Sequence, residues 1–166
     1  MTERDRAADV IRSVLDDAGL AWESPVPYTF SVTLPGTRKL TTTCGLHVGE
    51  HSVQVHAFVM RAPDDDPAAV HRYLLERNLK TYGVAFGVDH DGDVHLAGRL
   101  ALHAVTPAEV DRLLGCVLEY ADGAFNTLLE LGFGPSIARE WAWRRARGES
   151  TANLAAFAHL APDEST

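Results

Sequence analysis

The stretch from Tyr82 to Leu131 leaves the chain few folding options. Tyr82-Gly83-Val84-Ala85-Phe86-Gly87-Val88 and Val94-His95-Leu96-Ala97-Gly98-Arg99-Leu100-Ala101-Leu102 are two β-runs joined by Asp89-His90-Asp91-Gly92-Asp93. Asp91-Gly92 supplies the positive φ that a tight turn requires, so the unit reads as a β-hairpin. Thr106-Pro107-Ala108-Glu109 then opens a helix, with Thr106 and Glu109 fitting a capping box and Pro107 the first helical position. Val110, Leu113, Leu114, Val117, Leu118, Ala121, Phe125, Leu128 and Leu129 form a nearly unbroken apolar stripe. About 25 residues at ~1.5 Å each span roughly 37 Å. Gly115 and Gly123 each cost about 1 kcal/mol relative to alanine inside such a helix, so a close contact or a bend is expected there. Gly132 reads as the end, and Gly134-Pro135 as the break beyond it.

Upstream, Thr2 is placed to cap a first helix whose stripe is Ala7, Val10, Ile11, Val14, Leu15 and Ala18, with Gly19 as its stop. Pro25 and Pro27 force an extended entry. Tyr28, Phe30, Val32 and Leu34 then alternate with polar residues, as do Leu40, Thr42, Cys44, Leu46 and Val48, and then Val53, Val55, Ala57 and Val59. Period two identifies three strands, and their short turns make an antiparallel meander. The third strand also carries Phe58 and Met60 on its otherwise polar side. Asp66 and Pro67 start a second helix, with Val70, Tyr73, Leu74 and Arg77 at helical spacing and Leu75 and Leu79 widening the stripe, until Tyr82-Gly83.

In the hairpin, Val84, Phe86 and Val88 share one face and Ala85 and Gly87 the other. The small residues leave room for a packed helix or a second subunit, or Gly87 marks a bulge. After Pro135, Ser136 is placed to cap a piece from Ile137 to Arg147 containing Trp141 and Trp143. Ser150 or Thr151 is placed to cap a last piece with Leu154, Phe157 and Leu160. The final few residues are expected to be disordered. The expected order is α-β-β-β-α-β-β-α plus C-terminal helical turns: an α+β fold with an antiparallel five-stranded sheet flanked by helices. Residues 1–166 read as one domain, with 135–160 as a helical C-terminal extension.

Composition narrows the function. A net charge of −8 disfavours nucleic acid and anionic membrane surfaces, which need a basic face. No apolar run reaches the ~18 residues of a membrane span, and the charged N-terminus lacks a signal-peptide core. Cys44 and Cys116 lie in apolar segments and read as free thiols, which fits a cytoplasmic protein. The Asp89–His95 loop concentrates carboxylates and imidazoles, but its glycine and its twelfth position do not match a calcium loop, so a hairpin turn is the simpler reading. His47, His51 and His56 cluster on two strands without the paired close ligands of structural zinc sites. Cys44 with a distant histidine is formally a nucleophile pair, yet nothing beside it lowers its pKa. Phosphate-loop, nucleophile-elbow, zincin and dinucleotide motifs are absent, so no catalytic residue, cofactor or metal is expected. Arg139, Arg144, Arg145 and Arg147 read as a solvated helix face, while Trp141 and Trp143 divide between core and interface.

Leu74-Leu75-Glu76-Arg77-Asn78, Phe86-Gly87-Val88-Asp89-His90-Asp91-Gly92, Val94-His95-Leu96-Ala97-Gly98-Arg99-Leu100 and Leu128-Leu129-Glu130-Leu131-Gly132-Phe133 together resemble the YbjN-like family. That family is similar in fold to type III secretion chaperones. The Trp-Arg-rich helix and the Asn153-Leu154-Ala155-Ala156-Phe157 tail resemble its actinobacterial branch. The resemblance implies a protomer that dimerises and a non-enzymatic role as a chaperone-like adaptor or regulator of an unidentified partner protein. On that reading the face of Phe58 and Met60, or that of Ala85 and Gly87, forms the dimer or client surface, because apolar residues stand where polar ones are expected. The alternative is a small-ligand or metal-responsive sensor built on His47, His51 and His56 or on the Asp89–His95 turn.

Overall fold

The structure, a computed structural model, describes residues 1–163; the disorder expected of the last few residues lies outside the described ones. Helix α1 (Glu3–Asp17) leads into strands β1 (Ala21–Glu23), β2 (Thr29–Pro35), β3 (Thr41–Val48) and β4 (Ser52–Met60). Helix α2 (Pro67–Asn78), strands β5 (Val84–Val88) and β6 (Val94–Ala101) and helix α3 (Pro107–Arg147) follow. Short 3-10 segments occupy Leu102–Ala104 and Ala152–Leu160. The fold is α+β, as expected, but its antiparallel sheet has six strands rather than five, in the order β1-β2-β3-β4-β6-β5. The additional strand is β1, which pairs Ala21 to Glu23 with Thr33 to Ser31. Three residues are too few to display a period of two.

The local signals act as their chemistry dictates. Thr2 and Asp5 close a capping box at the head of α1. The Asp66 side chain accepts from the Ala69 amide with Pro67 behind it, and Thr106 accepts from the Glu109 amide with Pro107 behind it. Gly92, at φ 87°, turns the β5–β6 hairpin. The core lies between one sheet face and the helices. Ala7, Ile11 and Leu15 of α1 and Val117, Ala121 and Leu128 of α3 meet Phe30, Val32, Leu46, Val55 and Leu96. The Arg6 guanidinium ties α1 to the start of α3 by donating to the carbonyls of Val105 and Leu102.

Three expectations need correction. First, α3 does not end at Gly132 or break at Gly134-Pro135. It runs unbroken to Arg147 with Pro135 inside it, and Gly148 at φ 66° is the stop. Pro135 is exposed and forfeits one helical bond, but the turns beyond it are rebuilt by good helix formers and covered by the tail. Phe157 of that tail is buried, as is Trp141, and His159 pairs with Glu130 at 2.9 Å. The Gly132 glycine serves a crossing instead: a Cβ there would lie 2.8 Å from Pro63 Cβ, and its carbonyl accepts from the Asp64 and Asp65 amides. Second, Leu75 and Leu79 do not widen the buried stripe of α2, being 68% and 87% exposed. Third, Leu40 lies outside β3 and is exposed, so that Thr42 is the first buried residue of that strand.

Candidate functional site

The outer face of the sheet bears Thr43, His47, Gln54, His56, Phe58, Ala97, Arg99, Ala85 and Gly87, all exposed. Phe58 is 43% exposed, with its ring edge-on to His95. Met60 is not on this face. Between Phe58 and Met60 the β4–β6 register shifts, and this bulge turns Met60 into the core at 3% exposure. Ala85 and Gly87 do lie on the open face. The register through Gly87↔His95 is regular, so Gly87 is not a bulge, and nothing lies within 4 Å of where its Cβ would be. Trp141 is buried under the tail, whereas Trp143 is half exposed beside Arg147.

His47, His51 and His56 are all exposed and do not converge on one site. His47 hydrogen-bonds Thr29, and His51 sits exposed at the β3–β4 turn. His56 instead stacks on His95 of the neighbouring strand, with ring centroids 4.7 Å apart. Sequence reasoning missed this pair because its members are 39 positions apart and meet only through the β4–β6 register. Partial burial, then the His95 charge, hold His56 below the usual imidazole range. The ligand-type atoms of Asp89, Asp93 and His95 lie within 4.8 Å of one another. They are already engaged: Asp89 accepts from the Asp91 and Asp93 amides and pairs with His95 at 2.7 Å, and Asp93 accepts from the Ala62 amide. The turn reading accounts for the contacts of Asp89 and Asp93, whereas Nδ1 of His95 is buried and has no hydrogen-bond partner among the described residues. Cys44 is fully buried, and burial pushes its thiol up to about 12, so it is not an activated nucleophile.

Two apolar surfaces remain. One lies beside edge strand β5. Leu74, Leu75, Phe86 and Val88 line a hollow of about 240 Å³, with Leu79 and Tyr82 exposed nearby. Here the Asn78 side chain donates to the Phe86 carbonyl and accepts from the Phe86 amide. The outward backbone of Phe86, at the middle of the edge strand, is thereby capped, which blunts the strand edge there. The other lies at the far end of β4, against α3. It is positioned by Asp122, whose Oδ1 accepts from the amides of Thr37, Arg38 and Lys39 at 2.7–2.9 Å. Burial works to raise the Asp122 pKa, but the three amides and Arg38 outweigh it and hold the carboxyl low. The β2–β3 turn is thus fastened to α3, and Lys39 is held over the Phe125 ring at 5.3 Å.

Among the described residues no helix is long and apolar enough to cross a membrane. Comparison with known proteins agrees with this architecture. The chain is 57% identical over 136 residues to the uncharacterized protein Rv0487 of Mycobacterium tuberculosis, covering 82% of this chain and 74% of that one. In structure it is similar to the Yersinia pestis type III secretion chaperone SycH, solved with a stable fragment of YscM2. That match has a TM-score of 0.50 at 13% identity and covers 69% of this chain and 96% of the other. It is also similar to a chain of the ExsC–ExsE complex, with a TM-score of 0.55 at 17% identity over 77% of this chain and 97% of that one. At these identities the structural matches establish the fold. The family model described as "Putative bacterial sensory transduction regulator" matches residues 7–130, and with the close mycobacterial relative it settles the point: the chain belongs to the YbjN family.

Proposed function

We propose that this chain is a non-enzymatic, cytoplasmic adaptor or regulator that acts as a homodimer and binds a partner protein. The observation that carries the reading is the apolar surface of α2 and β5. Leu75 and Val88 are 68% and 46% exposed and line a hydrophobic hollow, and Leu79, one helical turn on from Leu75, is 87% exposed. A contiguous patch of this kind is normally covered by another protein. Asn78 occupies the outward backbone groups of Phe86 beneath it, so association there proceeds through side chains, with α2 of one protomer against α2 of its partner. Ala85 and Gly87 border the same surface on the open sheet face, and their small size lets a second chain approach. The two chaperone-like neighbours were each solved with a protein bound, which supports partner binding as a use of this fold. The whole of residues 1–166 is taken as the functional unit, with Trp143 and the C-terminal half of α3 as a further contact region.

Light scattering behind size exclusion tests the dimer. The wild type is expected at twice the monomer mass, and Leu75→Asp with Leu79→Asp is expected at the monomer mass with an unchanged circular dichroism spectrum. A wild-type monomer, or a double variant that stays dimeric, contradicts this surface.

A further inference from the structure

The sheet divides at one place. The β3–β4 ladder ends at Cys44↔Ala57. Beyond that pair, β3 continues with β2 alone, out to Thr41↔Pro35, and β4 continues with β6 alone, through its bulge to Met60↔Val94. The fork so formed is a groove of about 410 Å³, lined by Phe58 and Met60 of β4, by Lys39, and by Phe125, Leu129 and Phe133 of α3.

The charges around this groove are unequal. Arg61 is committed to Asp64 by two hydrogen bonds at 2.9 and 3.0 Å, and Arg38 pairs with Asp122. Lys39 enters no ion pair among the described residues. Its amine is held over an aromatic ring by a turn fastened through three backbone amides. Burial lowers its pKa, and a nearby carboxylate would reverse that effect. Along one side of the groove runs β4, which has no β3 partner beyond Ala57, so its natural occupant is itself extended, with alternate side chains directed into the apolar lining.

We propose that the β3–β4 fork seats an extended segment of a partner protein, one that alternates apolar and polar residues and places a carboxylate against Lys39. The proposal deepens the partner-binding reading by naming where and through what chemistry the partner is held. It is independent of the α2–β5 dimer surface. Phe58 supplies an exposed aromatic wall, the kind of residue that dominates interface energetics. Lys39 supplies the charge selectivity and fixes the register.

The test is selection of short random peptides by phage display on the immobilised full chain, followed by fluorescence polarisation of the selected peptides. The expected peptides alternate apolar residues and carry Asp or Glu. Phe58→Asp should weaken them at least about tenfold, as truncation of an aromatic anchor does. Lys39→Glu should redirect the selection towards Lys- or Arg-bearing peptides. Leu75→Asp with Leu79→Asp should leave peptide affinity unchanged, so failure of the dimer surface and failure of the fork are read separately. Thermal melts confirm the fold of each variant, with Phe58→Ser standing in if the aspartate lowers the melting temperature. The proposal is overturned if no motif is enriched, if acidic peptides are not preferred, or if they bind Phe58→Asp and Lys39→Glu as well as wild type.

Discussion

At the residue scale, Asp122 carries more structure than its place on a surface helix implies. One carboxylate oxygen accepts three consecutive backbone amides of the β2–β3 turn. Its side chain is only 14% exposed, so those amides would be left poorly satisfied without it. Asp122→Ala is therefore expected to destabilise the fold by about 1–3 kcal/mol, as read by urea denaturation. The pH dependence has a definite sign. A carboxyl whose folded pKa is depressed contributes stability that is present above its unfolded pKa, near about 4, and lost as pH falls through the folded value. Asp122→Asn should accordingly flatten the acid limb of the stability curve relative to wild type. An Asp122→Asn curve parallel to wild type below about pH 4 contradicts the assignment. None of this is legible in the sequence. Asp122 falls in an apolar-periodic helix as one more polar-face residue, and its partners lie more than 80 positions away.

At the element scale, caps, turns and strand alternation were legible because each is decided within a few residues. The Thr2, Asp66 and Thr106 caps and the Asp91-Gly92 turn all form, although the Glu109 carboxylate accepts from the Tyr82 hydroxyl instead of closing the capping box with Thr106. What escaped was settled by distant partners. Strand β1 exists because β2 offers it an edge, and the β4 bulge that buries Met60 arises from pairing with β6. Helix α3 continues past Pro135 because the tail folds back on it. The expected compensation at Gly115 and Gly123 is also missing. Both glycines are exposed, and nothing stands within 4 Å of a Cβ at either. Gly115→Ala and Gly123→Ala should each stabilise the chain by about 1 kcal/mol, measured as a raised denaturant midpoint with an unchanged slope. Destabilisation by either change would mean that a contact outside the protomer occupies that position.

At the scale of the whole molecule, helices cover one face of the sheet and leave the other open. Apolar side chains nevertheless line a hollow at each of two separate surfaces. The α2–β5 surface has the outward backbone of Phe86 capped by Asn78, which suits a dimer built on side chains. The β3–β4 fork has β4 along one side and a lysine that enters no ion pair among the described residues, which suits an extended acidic segment. Of these surfaces, sequence reasoning reached Phe58, Ala85 and Gly87 through patterning. It did not reach the fork itself, because the end of a ladder depends on two strands parting over a third element. The partner-binding role is tested most directly by affinity capture of the tagged chain from its own cells, with quantitative mass spectrometry, alongside Phe58→Asp and Leu75→Asp/Leu79→Asp. One stoichiometric partner protein is expected with wild type, lost with Phe58→Asp and retained by the Leu75/Leu79 variant. Recovery of nothing beyond the chain itself, or of the same proteins with Phe58→Asp as with wild type, would contradict it.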